Sequence, residues 1–165
     1  MPRKARGRNG TMELSDLLSP QGVVAHLKAA NKKQALQELA RVASGITRLD
    51  ERAIFEALLE RERLGTTGVG LGIAIPHAKM PELKRLYGLF ARLDQPIDFD
   101  AIDEQPVDLM FVLLAPESAG ADHLKALARI SRLLRNQIVC EKLRGAENAE
   151  AIFALLCEPE SSQAA

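Results

Sequence analysis

Apolar positions between residues 31 and 64 recur twice with helical spacing. Asn31 followed by Gln34 resembles a capping box, and Ala35, Leu36, Leu39, Ala40 and Ala43 then share one face up to Gly45, which predicts a helix. Thr47 and Asp50 repeat the start signal, and Ile54, Phe55, Leu58 and Leu59 mark the apolar face of a second helix ending near Leu64. Ahead of these, Glu13 to Leu18 reads as a short helix, and Val23, Val24 and Leu27 suggest a strand. His26 falls in that strand, as a surface or satisfied core imidazole. Beyond the helices the pattern changes. Gly65, Gly68, Gly70 and Gly72 lead into the apolar run Ile73, Ala74 and Ile75, which Pro76 stops because proline cannot donate to a central ladder. Leu86 to Leu93 and Val107 to Ala115 read as strands, the second so uniformly apolar that both of its faces should be buried. The segment between them is turn-rich, with a short strand around Ile97 to Phe99. Leu124, Leu127, Ile130 and Leu134 then give an amphipathic helix from Asp122 to Leu134, and Asn136 and Asn148 open two further helices ending by Leu156.

Helices that precede, punctuate and follow the strands suit a sheet with helices packed against it. The chain has 165 residues, enough for one domain, and shows neither an internal repeat nor a linker between residues 20 and 156. The expected boundaries are a basic arm over 1–12, a folded domain over 13–156 and a C-terminal tail over 157–165. Aromatic residues make up 4% of the chain, with no Trp and one Tyr, so a stacking platform for bases or sugars lacks its material. Lys+Arg and Asp+Glu balance at 22 each, yet Arg3, Lys4, Arg6 and Arg8 crowd the start, and setting them aside leaves 18 basic against 22 acidic residues. That balance excludes a nucleic-acid footprint. No apolar region follows the basic start, and the longest apolar run, Leu109 to Ala115, falls far short of the ~20 residues that cross a bilayer, so a cytoplasmic protein without membrane insertion is expected. Cys140 and Cys157 lie in helical segments outside any CxxC or zinc pattern and read as free thiols.

The chemistry concentrates in GTTGVGLGIAIPHAK, residues 65 to 79. Closely spaced glycines let successive N–H groups converge on an anion, or they merely make tight turns beside a strand. The segment is neither a Walker A loop nor a full GxGxxG fingerprint, so both usual nucleotide signatures are missing. His77, held after Pro76 at a strand end, is presented rather than packed. A mostly neutral imidazole has a lone pair that can attack phosphorus without a separate base; the alternative is a structural or exposed histidine. His123 falls in the first turn of a predicted helix, where it is either a neutral hydrogen-bond donor to a phosphoryl oxygen or a cap. Spacing cannot show that residues 77 and 123 meet. A metal site would need a third ligand that does not accompany them.

LLERERLGTTGVGLGIAIPHAK closely resembles the active-site signature of the enzyme IIA components of the fructose/mannitol class in the bacterial phosphoenolpyruvate-dependent phosphotransferase system. Together with DQPIDFDAIDEQPVDLMFVLLAPESAGADHLKALARISRLLR, it is most similar to the nitrogen-regulatory branch, over about residues 13 to 156. The resemblance implies an α/β fold, a single domain with a mixed β-sheet flanked by helices. It also implies a phosphorylatable histidine matching His77, a second active-site histidine matching His123 and an arginine matching Arg61. The phosphoryl group would sit on the ring nitrogen remote from the backbone. Arg61 fits physically, since a guanidinium offers fixed donors to phosphoryl oxygens; read without the family it is an exposed helix arginine paired with a nearby Glu. Ala78 stands where many members have Gly, which limits backbone freedom beside the histidine.

The expected function is that of a nitrogen-regulatory phosphotransferase component. It takes a phosphoryl group from an HPr-like phosphocarrier onto His77, forms a phosphohistidine intermediate and regulates target proteins such as a transporter, kinase or metabolic enzyme. No cofactor and no metal are expected, because the donor is already activated. The glycine-loop N–H groups would help to hold the phosphoryl oxygens, and an apolar rim including Leu71 and Ile75 would dock the carrier. Two alternatives are a sugar-specific enzyme IIA that passes phosphate to a IIB domain and a non-catalytic interaction module.

Overall fold

The computed structural model describes residues 12–158. The basic cluster of the arm and the tail beyond Glu158 lie outside them. At the two edges the expected boundaries shift, because Met12 is already buried in the core and Cys157 packs against it.

A 3-10 turn over Leu14–Asp16 leads into β1 (Leu18–Leu27), followed by α1 (Lys32–Thr47) and α2 (Glu51–Leu64). Asn31 caps α1 by accepting from the Gln34 N–H at 2.9 Å, and Asp50 caps α2 by accepting from Ala53 at 3.0 Å. Thr47 does not start a helix. Its hydroxyl bonds back to the Ala43 carbonyl in the last turn of α1, and Arg48 closes that helix at φ 68°. Three short strands follow, β2 (Gly68–Gly70), β3 (Ile73–Ala74) and β4 (His77–Lys79), then β5 (Tyr87–Ile97) and β6 (Val107–Ala115). The turn-rich segment contributes no strand of its own; β5 continues through an irregularity after Arg92 to pair Ile97 with Val107. The chain ends in α3 (Gly120–Arg135), α4 (Gln137–Gly145) and α5 (Ala149–Leu156), the last two capped by Asn136 and Asn148 as the sequence predicts.

The strands form one mixed sheet in the order β1-β5-β6-β3-β2, with β4 pairing β6 beyond β3. β6 lies inside it, antiparallel to β5 and parallel to β3 and β4. Its side chains alternate: Leu109, Phe111, Leu113 and Ala115 pack beneath α3, α4 and α5, whereas Met110, Val112 and Leu114 pack beneath α1 and α2. Two covered faces explain a strand with no polar face. Phe90 and Phe111 stack edge to face on the α3 side, their centroids 6.4 Å apart. Gly88 is required there, because a Cβ on it would stand 2.9 Å from the Phe111 ring.

Proline does stop β3, but the strand resumes one residue later. His77 therefore opens β4, paired with Leu113, instead of hanging at a strand end. Leu18, Gly88, Leu113 and His77 form one row across β1, β5, β6 and β4. Ala78 occupies extended backbone opposite Leu114 with its methyl buried under α1 and α2, so this position makes no demand for glycine.

Candidate active site

His77 is fixed by the backbone just before it. Its Nδ1 lies 2.8 Å from the Ile75 carbonyl oxygen. A carbonyl can only accept, so Nδ1 carries the hydrogen and the lone pair of the neutral ring resides on Nε2, the nitrogen farther from the backbone. Partial burial, above all, holds the His77 pKa below its ordinary 6.5; the Ile75 carbonyl pulls it up, Arg61 pushes it down and Glu62 opposes Arg61.

The strand register places the His77 side chain on the α3 side of the sheet. His123, in the first turn of α3, is buried at 7% exposure, and its ring meets that of His77 edge on, with centroids 5.7 Å apart and planes inclined by 72°. Its Nε2 is buried without a hydrogen-bond partner. A polar atom left so is costly to the fold and available to a ligand. Burial, then His77, then Lys79 lower the His123 pKa below 6.5. Both imidazoles are thus neutral at neutral pH. Between their depressed folded pKa values and 6.5 the unfolded chain binds more protons, so stability falls as pH drops below about 6.5. In an NMR titration both rings are expected to protonate with midpoints below 6.5. A midpoint above 6.5 for His77 contradicts this reading.

Arg61, in the last turn of α2, donates from Nη1 to the Gly65 carbonyl at 2.9 Å and lies near enough to His77 to act on its protonation. Sequence reasoning passed over its neighbour. Glu62 is 7% exposed and accepts from the Thr67 N–H at 2.9 Å, the Thr67 hydroxyl at 2.6 Å and the Lys32 ammonium at 3.0 Å. Lys79, two residues past His77 and on the same side of β4, is a second omission. In the sequence, Glu62 looks like one more helix-surface charge, and only its position three residues before the glycines hints otherwise.

The glycine segment does not form the expected anion cradle. Gly70 (φ 102°), Leu71 (φ 60°) and Gly72 (φ 81°) make the turn between β2 and β3. That turn adjoins Asp108, at the end of β6 far from His77 and Leu113. The Leu71 N–H is taken by Asp103 at 2.9 Å and its carbonyl by Arg144 at 3.1 Å. Nearer the site, Thr67 and Gly68 direct their N–H groups to Glu62 and the Thr66 hydroxyl. The glycines serve chain reversal and close packing. The expected rim fails for the same reason, because Leu71 is exposed at the wrong end of the sheet and Ile75 is core at 6% exposure. The exposed apolar side chains beside the site residues in sequence are Leu64, at 82%, and Leu124, at 69%. Among the described residues, no three His, Cys, Asp or Glu side chains come together as a metal site, and no helix is long and apolar enough to cross a membrane.

The model of a known family, "Phosphoenolpyruvate-dependent sugar phosphotransferase system, EIIA 2", matches residues 16–158. A nitrogen regulatory protein of Bradyrhizobium diazoefficiens is 58% identical over 153 residues, which cover 93% of this chain and 100% of that protein. The fructose-specific EIIA component of Haloferax volcanii is 44% identical over 130 residues, 78% of this chain and 84% of that one. Among solved structures, nitrogen regulatory protein IIA-Ntr from Neisseria meningitidis superposes with a TM-score of 0.83 at 34% identity, covering 87% of this chain and 98% of its own. Fold, length and sequence agree over nearly all of the described residues, and the chain belongs to the EIIA 2 family of the phosphoenolpyruvate-dependent sugar phosphotransferase system, in its nitrogen-regulatory branch.

Proposed function

We propose that Nε2 of His77 accepts a phosphoryl group from the phosphohistidine of a small HPr-like carrier, and that the phosphorylated and free forms bind different target proteins. The carrier's N–P bond breaks as the Nε2–P bond forms, through a loose transition state that asks the site for alignment and charge stabilisation. As the bond forms, the His77 ring becomes positive, and its Nδ1–H, already bonded to the Ile75 carbonyl, disperses that charge. The buried Nε2 of His123, carrying a hydrogen, donates to a phosphoryl oxygen, and Arg61 supplies a further donor. The donor arrives activated, so no other cofactor enters. The exposed side chains of Leu64, at the end of α2, and Leu124, next to His123 in α3, are offered as apolar contacts for the docking carrier.

The observation that carries this reading is the bond from His77 Nδ1 to the Ile75 carbonyl, which leaves a lone pair on the outer nitrogen of a ring 5.7 Å from a second, unsatisfied imidazole. Phosphorylation then adds about −1.5 to −2 charges, enough to repel an acidic or apolar partner surface. Regulation through partner choice follows. Incubation with phosphoenolpyruvate, enzyme I and the carrier is expected to yield one acid-labile phosphoryl group per chain. Absence of label overturns the proposal in favour of a non-catalytic interaction module. The likeness to the fructose-specific component of Haloferax volcanii supports a second reading, transfer onward to a IIB domain. Rapid loss of label to an added IIB domain would establish that reading, and retention would exclude it.

A further inference from the structure

A carboxylate as buried as that of Glu62 persists only when fully partnered, and here both oxygens are engaged. Oε1 takes the Thr67 hydroxyl, while Oε2 takes the Thr67 N–H and the Lys32 ammonium. The residue so anchored does not merely close a loop. The Thr67 carbonyl accepts from the Ile75 N–H at 3.0 Å, and the Ile75 carbonyl accepts from His77 Nδ1 at 2.8 Å. A continuous series of hydrogen bonds thus runs from α2 to the nucleophile, with Lys32 neutralising its far end.

We propose that Glu62 is a positioning residue for His77: by holding Thr67 it fixes the Ile75 backbone, keeps the hydrogen on Nδ1 and leaves the lone pair on Nε2. The physical need is plain. An imidazole that loses its Nδ1–H acceptor exchanges between two neutral tautomers, and the one with hydrogen on Nε2 cannot attack phosphorus from that nitrogen. Glu62 touches neither His77 nor an incoming phosphoryl group in this arrangement and acts through Thr67 and Ile75. The pull that its charge exerts on His77 protonation, against Arg61, agrees with this proximity.

The inference rests on His77 as the nucleophile, and its test separates the two claims. Long-range proton–nitrogen correlation spectra of the unphosphorylated chain, recorded at neutral pH without any carrier, report which ring nitrogen of His77 bears hydrogen. Wild type is expected to show the Nδ1–H form alone. Glu62→Ala is expected to show a mixture with the Nε2–H form and phosphoryl uptake slower by about tenfold, in keeping with the loss of alignment. Glu62→Gln can accept from the Thr67 N–H and donate to its hydroxyl oxygen, and is expected to restore the Nδ1–H form and most of the rate. Should Glu62→Ala fail to fold, Glu62→Leu, which fills the space and removes both acceptors of Thr67, is read in the same way. An unchanged Nδ1–H tautomer in the folded Glu62→Ala protein, or in Glu62→Leu where that stands in for it, overturns the inference. A wild-type chain that shows the Nδ1–H form yet takes no label overturns the phosphotransfer reading and leaves the tautomer claim standing.

Discussion

His77→Ala is expected to take no phosphoryl group from the carrier while keeping its fold. The substitution removes a partly buried ring whose hydrogen bond is local, to the Ile75 carbonyl two residues back, so the sheet register through Ala78 and Leu113 survives. Among the described residues, no other histidine or cysteine is placed to take over. His123 is the nearest imidazole, but its Nε2 is buried, and an in-line approach needs an open path to the attacking nitrogen. His26 is exposed and bonded to Asp94, near the end of β1 remote from the row that contains His77. The thiols are held protonated by burial, Cys140 pushed up from its ordinary value and Cys157 to about 11. Radiolabel transfer followed by gel separation measures the effect, with a circular dichroism spectrum to confirm the fold. Label retained at the wild-type level would place the phosphoryl group elsewhere.

His123→Ala should still accept phosphate, but about 100-fold more slowly, the usual loss when one preorganised donor to a developing anion is removed. The effect belongs in the rate at saturating carrier rather than in carrier affinity, because the donor meets the phosphoryl oxygens only as they approach His77. His123→Gln keeps an N–H donor and should recover part of the rate. The structure also predicts a gain in stability or little change for an apolar residue of similar size here, since a buried, unpartnered Nε2 is removed. A slower reaction in a chain at least as stable separates function from packing. Equal rates for wild type and His123→Ala would remove His123 from the chemistry.

The helices and the inner strand were legible because their signals are local. Asn31, Asp50, Asn136 and Asn148 cap helices through side-chain bonds to residues two or three positions on, and β6 shows its burial in an unbroken apolar run. His77, His123 and Arg61 could be named from residue type and family likeness, but no spacing rule brings residues 77 and 123 together. Their meeting depends on β4 pairing with β6 and on α3 crossing that side of the sheet. Glycine spacing misled for a related reason: clustered glycines permit an anion cradle or a tight turn equally, and the choice is made by distant partners, Asp103 and Arg144, that fix Leu71. Glu62 was invisible because a buried carboxylate and a surface one look alike in a charged helix. Burial is a tertiary property, set by Lys32 and Thr67 closing over it.

In the proposed reaction the outer nitrogen of one imidazole, Nε2 of His77, forms the bond to phosphorus. The most direct measurement is the phosphorus–nitrogen correlation spectrum of the chain labelled with nitrogen-15 in its histidines and phosphorylated by the carrier. The expected result is a single coupling to Nε2 of His77, with Nδ1 still bearing hydrogen. A coupling to Nδ1, or to a nitrogen of His123 or His26, would contradict it.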